Sequence, residues 1–359
     1  MAVLVVSLAL GTLPDAERSP RAPLCAASGR LRCSRPPCSR LRCVSRVEAA
    51  VGEREEGGRL FSFGVGYTTQ ALLRTLKPLG WHLSCACRGE EKAAALRSAG
   101  VEAHAWSPDD GVGLSSDGLL ALHNATHVVT CVPPCGDFNC DPVLALHGGE
   151  LAGLASSSSS FRWLGYLSST GVYGEHHGSW VTEESPLHLS ADSDKASHRA
   201  RAEAEWLRLY ERHQLPVHIF RLGGIYGPGR SMLDTVQRRG APSAAQRLRV
   251  EKRYISRCHV ADIVSVLRAS MAAPRPGRVY NVVDDDPAPR SEVAAYARAL
   301  LSGAEPAEPH SGAAATLSAP EEKRVRNQRV KEELGVTFRY PSYREGLRAL
   351  NQGDNTPFA

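Results

Sequence analysis

Three observations predict an α/β chain built on a doubly wound parallel sheet, with a small C-terminal α/β lobe over it. Short β-rich runs alternate with helical runs from Arg59 onward. A glycine turn stands directly between the first such run and the first helix. The composition is that of an ordinary globular protein, with 42% apolar and 23% charged residues among 359. That length buries a large core, as one big domain or two smaller ones. No compositional extreme supports collagen, wholesale disorder or a coiled coil. No apolar run approaches the roughly 18 to 20 residues that span a bilayer.

The elements follow in order. Strands are expected at residues 59–63, 81–87, 101–105, 126–131, 161–168 and 216–222, each a short run rich in β-branched, aromatic or leucine residues. Helices are expected between them at 68–79, 90–99, 117–123, 141–154 and 194–213. Strands separated by helices of this length form parallel units with right-handed crossovers. The five serines Ser156–Ser160 read as a flexible connector. Beyond Leu222 the alternation loosens into a Gly/Pro loop at 223–229. A helix at 231–239, a strand at 278–283 and helices at 291–301 and 326–334 follow. Residues 59–222 are therefore assigned to the sheet domain and 223–350 to a C-terminal lobe contiguous with it. Ligands are expected between the two, at the C-terminal ends of the strands.

The first fifty residues differ. Between Arg18 and Val47 stand eight arginines and no acidic residue, among serines, prolines and Cys25, Cys33, Cys38 and Cys43. No hydrophobic period runs through the stretch. Its composition is that of an organellar transit peptide, and residues 1–47 are expected to be a cleaved presequence. The apolar stretch Ala2–Leu10 ahead of it suits a signal peptide, so the pair suggests a plastid reached through the secretory system. A simple transit peptide is the plainer alternative, and a basic tail without targeting role the blandest. The charge follows this division. The chain carries +5 overall, but residues 1–47 hold eight basic and two acidic residues, leaving 35 against 36 elsewhere. The body is near neutral, which removes most of the case for nucleic acid. The cysteines recurring every five residues at 33, 38 and 43 lack the partner pair that a zinc site needs. Cys85, Cys87, Cys131, Cys135, Cys140 and Cys258 are too scattered for a secreted disulfide scaffold. Cys135 and Cys140 are either a redox pair or, more simply, two incidental thiols.

The run Arg59–Phe63 leads straight into Gly64-Val65-Gly66-Tyr67-Thr68-Thr69 and a helix. Strand, glycine turn and helix is the setting in which G-x-G signals dinucleotide binding. Gly64 permits the tight turn, Gly66 lets backbone approach a pyrophosphate, and amides at the helix N-terminus face the negative charge. The third glycine of the fingerprint is replaced by Thr69. About twenty residues on, where an NAD site places a ribose-binding carboxylate, the second strand ends without one and Arg88 follows. An arginine there pairs with the 2′-phosphate of NADP, so NADP is preferred; an ordinary solvated charge is the alternative.

Four further stretches occur in sequence: Tyr166-Leu167-Ser168-Ser169-Thr170-Gly171-Val172-Tyr173-Gly174, Arg221-Leu222-Gly223-Gly224-Ile225-Tyr226-Gly227-Pro228-Gly229, Cys258-His259-Val260-Ala261-Asp262-Ile263 and Val279-Tyr280-Asn281-Val282-Val283-Asp284-Asp285. In this order they resemble the extended short-chain dehydrogenase/reductases, the NAD-dependent epimerases and dehydratases, over about residues 59–350. The glycine turn makes the chain more similar to atypical bacterial and plastid members. The resemblance implies a Rossmann-type domain that binds NAD(P), with a nicotinamide dinucleotide and a small-molecule substrate as partners. It assigns Gly64, Gly66, Tyr67, Arg88, Val132 and Pro133 to the cofactor.

The resemblance also implies a catalytic Ser/Thr, here Ser169, and a Tyr-x-x-x-Lys pair that is absent. A tyrosine needs a cationic neighbour to act as a base near neutrality. No tyrosine occurs between Tyr173 and Tyr210. Depending on a one-residue gap, the Tyr position falls on Asp194 or Lys195 and the Lys position on His198 or Arg199. His198 is the candidate substitute base, with His176 and His177 nearby, although histidines on a polar helix are usually just solvated.

Arg230, Arg238, Arg239, Arg247, Arg249, Lys252, Arg253 and Arg257 make the lobe locally basic. They suit a nucleotide-sugar diphosphate or, as a bland alternative, a solvated face. RNA is disfavoured because Tyr254 is the lone aromatic there. His259 and Asp262 are expected to hold the lobe junction through hydrogen bonds and a helix cap. Two functions stay open: an oxidoreductase, epimerase or dehydratase with a nonstandard acid–base group, and a cofactor-binding sensor or scaffold whose catalysis has lapsed.

Overall fold

The computed structural model describes residues 57–134, 141–190, 194–238, 254–306 and 322–358. The presequence with its cysteines, Cys135, Cys140 and the arginines and lysine of residues 239–253 lie outside the described residues.

The elements are β1 (Arg59–Phe63), α1 (Tyr67–Leu76), β2 (His82–Cys87), α2 (Glu90–Ser98), β3 (Glu102–Ala105), α3 (Ser116–His123) and β4 (His127–Thr130). Next come α4 (Pro142–Ser157), β5 (Trp163–Ser169), β6 (Trp180–Val181), α5 (Lys195–His213), β7 (Val217–Leu222), β8 (Gly224–Tyr226) and α6 (Met232–Gln237). The last are β9 (Arg257–His259), α7 (Val260–Ala272), β10 (Val279–Val282), α8 (Arg290–Ser302), β11 (Arg324–Val325), α9 (Gln328–Leu334) and α10 (Tyr343–Asn351).

Seven strands form one sheet in the order β10-β7-β5-β4-β1-β2-β3, all of it parallel. This is the doubly wound sheet expected from the sequence. Its strands are buried on both faces: Leu60, Phe61 and Phe63 of β1 are each 0% exposed, as helices on either side require. One face packs on Leu72 and Leu76 of α1, Ile263 and Leu267 of α7 and Val330 of α9. The other packs on Leu122 of α3, Leu151 and Leu154 of α4 and Trp206 of α5. The order reverses between β1 and β4, and it is there that the C-terminal strand ends leave a crevice.

Three expectations are adjusted. The first helix stops at Leu76, and a 3-10 turn at Lys77–Leu79 carries Pro78 before Gly80 at φ +78°; proline has no amide to continue the α-helical ladder. Helix α4 runs on through Ser157, with the amide of Ser158 still donating to Leu154 O at 3.1 Å. Part of the serine connector is thus helical. The division at 222/223 does not divide the sheet, because β10 pairs with β7 from residues far beyond it and α7 covers α1 in the main core.

What stands apart as a lobe is α6, α8 and α10, sharing a small core of Leu233, Val293, Tyr296, Ala297, Tyr343 and Leu347. Capping boxes start two of these helices, Ser231 with Asp234 and Ser342 with Glu345. At the junction His259 caps α7 by accepting from the amide of Ala261 at 3.2 Å. The Asp262 carboxylate accepts the amides of Arg339 and Tyr340 at 2.7 and 3.1 Å.

Candidate functional site

β1 and β4 end side by side, Phe63 opposite Thr130. The chain leaving each of these strands builds one wall of a cavity of about 830 Å³. After β1 the chain turns at Gly64, whose φ is +84°. Its amide donates to Ala86 O at 2.9 Å. A Cβ there would lie 2.9 Å from Cys131 Sγ, the residue just after β4. Conformation and space both demand glycine at this point.

Gly66 is the N-cap of α1, in extended conformation and without a side-chain cap. The first amides of α1 therefore lack intrahelical partners, and no acidic residue stands in its first turn. The turn itself is pinned from behind, with Lys92 Nζ donating to Val65 O at 2.6 Å. Gly66, Tyr67, Thr68, Thr69, Cys131 and Pro133 all line the cavity. Thr69 is 1% exposed, and its hydroxyl has no hydrogen-bond partner. The Tyr67 hydroxyl donates to Pro228 O at 2.9 Å, and burial pushes the phenol up to about 12. Tyr67 is therefore a structural donor rather than a base.

The facing wall comes from β5. Ser169 caps the 3-10 turn Thr170–Tyr173 by accepting the amide of Gly171 at 3.1 Å. Ser168, Ser169 and Thr170 line the cavity. Beneath them lies a buried polar network. Ser168 Oγ donates to Glu203 Oε1 at 2.5 Å, and Arg221 grips Glu203 through Nε and Nη2, the latter at 2.7 Å. Arg221 Nη1 donates to the Tyr173 hydroxyl, which donates on to Asn281 Oδ1 at 2.7 Å. This network joins β5, α5, β7 and β10, and it occupies Tyr173 fully.

The structure separates the remaining sequence candidates. On α5 the cavity wall receives Arg199, while Asp194, Lys195 and His198 do not line it. Asp194 is the N-cap of α5, accepting the amide of Ser197 at 2.7 Å. That bond, with the His188 contact also helping, holds its carboxyl down at about 2. It serves as a cap and not as a proton carrier. His176 and His177 also lie off the wall. Val132 is buried beside Gly64, its Cγ2 lying 3.4 Å from where a Cβ on Gly64 would sit. Arg88 stands at the end of β2 outside the cavity wall, 66% exposed and 3.6 Å from Asp109.

Charge is concentrated on the cavity. Among the described residues Arg199, Arg230, Arg238, Arg257, Arg290 and Lys323 line it against a single carboxylate, Asp234. Arg257 is spent on the carbonyls of Ile255 and Ala288 at 2.7 and 2.8 Å. Lys323 Nζ donates to Gly174 O at 2.7 Å, so it reaches the same loop that carries Ser169. Arg199, Arg230 and Arg238 have no carboxylate partner among the described residues. Sequence reading found Arg230 and Arg238 from their density but had no signal for Arg199 over His198. It had none for Lys323, which precedes the two-residue strand β11 and carries no pattern.

No family model matches the chain. Protein YeeZ of Escherichia coli K12 is 26% identical over 287 residues, covering 77% of this chain and 94% of YeeZ. A functionally unknown conserved protein from Silicibacter pomeroyi DSS has a solved structure that is 41% identical. The match covers 83% of this chain and 100% of that one, with a TM-score of 0.66. At 18% identity, dTDP-glucose 4,6-dehydratase from Bacillus anthracis, solved in complex with NAD, shares the fold with a TM-score of 0.61. Here 82% of this chain and 96% of that one are covered.

Proposed function

Because the chain belongs to one family with the conserved Silicibacter pomeroyi protein and carries the fold of the NAD-dependent epimerase/dehydratase superfamily, we propose that it is an NAD(P)-binding protein acting as an oxidoreductase or epimerase. The observation that carries this reading is the convergence of the glycine turn and the Ser169–Thr170 loop on one cavity at the switch point of the sheet. Bound there, the nicotinamide would accept or return a hydride. The amides at the start of α1 would hold the pyrophosphate, and the Ser169 hydroxyl would hydrogen-bond the reacting oxygen of the substrate. Arg199 and Arg238, which have no carboxylate partner among the described residues, favour a substrate that is itself anionic, such as a nucleotide-linked one. Arg88 follows the second strand, the position from which an arginine would reach the 2′-phosphate of NADP. Residues 1–47 would direct the chain to a plastid, and fusing them to a fluorescent reporter tests that address.

One observation favours the second reading, a cofactor-binding sensor or scaffold. Three of the four tyrosines lining the cavity among the described residues, Tyr67, Tyr226 and Tyr343, donate their hydroxyls to Pro228 O, Ser342 O and Glu292, and α5 supplies Arg199 where the enzymes of the superfamily keep lysine. Calorimetry on the full chain with NADPH and NADH tests the shared premise. NADPH is expected to bind more tightly, and Arg88→Gln to erase the difference; binding of neither would end the cofactor reading. Hydride exchange that disappears in Ser169→Ala marks the enzyme. Unchanged nucleotide affinity with no exchange in either protein marks the sensor.

A further inference from the structure

Arg230 is presented to the cavity by an unusually well-fixed turn. Gly227 and Arg230 exchange backbone hydrogen bonds at 3.1 and 3.0 Å, closing a loop around Pro228. Pro228 O then accepts the Tyr67 hydroxyl at 2.9 Å. Gly227 has φ +156°, and a Cβ there would lie 2.7 Å from that hydroxyl. The loop from beyond the sheet is thus fastened to the first residue of α1. The Arg230 guanidinium lies 5.3 Å from the Tyr67 ring centroid, one residue from Gly66. It is exposed and has no carboxylate partner among the described residues.

Within the same helix start, Thr69 keeps its hydroxyl buried and unpartnered while lining the cavity. Leaving a buried hydroxyl unsatisfied is costly, and in helices a threonine usually bonds back to the preceding turn. This one does not. It stands at the helix end whose amides are also without partners.

Resting on the cofactor reading, we infer that Thr69 and Arg230 are the two side-chain arms of a diphosphate clamp at the start of α1. The turn supplies amides from below, Thr69 a hydroxyl from within the helix, and Arg230 a planar fork from the lobe side. Thr69 stands where the fingerprint has its third glycine, so the position exchanges close packing for a ligand hydrogen bond. A diphosphate occurs both in a nicotinamide dinucleotide and in a nucleotide-linked substrate. The adjacency to Gly66 assigns the clamp to the dinucleotide.

Calorimetry on the full chain with NADH and, separately, with UDP distinguishes the two. Arg230→Gln is expected to weaken NADH roughly 10- to 100-fold, the usual range for a charge-assisted hydrogen bond, and to leave UDP unaffected. Thr69→Val is expected to weaken NADH roughly 3- to 10-fold, and Arg230→Lys to fall between wild type and Arg230→Gln. The salt dependence of NADH binding should flatten in Arg230→Gln, with its melting temperature unchanged because the side chain is exposed. Wild-type NADH affinity in Arg230→Gln overturns the clamp while leaving the cofactor reading intact. A loss confined to UDP overturns the assignment to the dinucleotide. Failure of the wild-type chain to bind NADH removes the cofactor reading and the clamp with it.

Discussion

The two glycines of the turn carry different burdens and can be told apart by substitution. Gly64 sits in the left-handed region, against Cys131. Alanine there costs about 1–2 kcal/mol in backbone strain before the contact with sulfur is counted. Gly64→Ala should therefore lower the urea midpoint. Gly66 has φ −85°, which alanine tolerates, and among the described residues a Cβ would meet only Cys131 Sγ, at 3.7 Å. Gly66→Ala should keep wild-type stability and instead lose nucleotide affinity, as the new methyl occupies the space a pyrophosphate needs. The opposite pattern, with Gly66→Ala unstable and Gly64→Ala merely weak in binding, would contradict the assignment of roles. Both glycines were legible in the sequence because a conformational demand leaves a residue-type signature. Thr69 was legible only as a departure, since no pattern tells an orphaned hydroxyl from a tolerated one.

Helix α5 shows where sequence reading stops at the scale of an element. Its extent was expected nearly as found, and Asp194 begins it. Yet successive helical residues differ in direction by about 100°, so a one-residue ambiguity exchanges His198, off the cavity wall, for Arg199, on it. Nothing local to the sequence resolves that choice. The same helix contributes Glu203, whose side chain is 2% exposed and paired with Arg221 at 5%. A charge so buried is tolerable only while its partner stays. Glu203→Gln should destabilise the protein by about 3–5 kcal/mol in urea unfolding, because Arg221 is left uncompensated. Replacing both residues by methionine should cost markedly less. Equal losses in the single and double variants would mean that packing, not charge, sets the cost.

For the whole molecule, acid is the informative perturbation. His127, His218 and His259 are buried, and desolvation lowers each to about 4. In the unfolded chain they take up protons near 6.5, so stability is lost as pH falls from 6.5 towards 4. Asp141 and Asp262 oppose this. Burial raises both to about 6, so the folded form holds those protons more firmly and gains over the lower part of the same window. His147 is lowered likewise, and burial raises Asp284, Asp286 and Glu205 as well. Imidazoles and carboxyls therefore pull against each other between pH 6.5 and 4, and removing one buried histidine should make the urea midpoint more tolerant of acid. His218 accepts the amide of Arg275 at 2.8 Å and stacks on Trp163. His218→Phe should be less stable at neutral pH through the lost bond, yet decline less steeply on acidification. An unchanged slope would exclude His218 from the effect. The parallel sheet was legible from alternation alone. The return of α7 and β10 to the core was not, because nothing in a strand's own residues names its neighbour.

That return has a consequence during synthesis. β7 is buried along its whole length, and one of its edges is covered by β10 alone. Until the ribosome has released Val279–Val282, Val217–Leu222 is an open apolar edge, the kind that recruits other chains. A nascent chain stalled before this point would carry the glycine turn and both sides of the crevice, yet remain a substrate for chaperones. Completion of the sheet, rather than assembly of the site, is then the step that frees the protein from them.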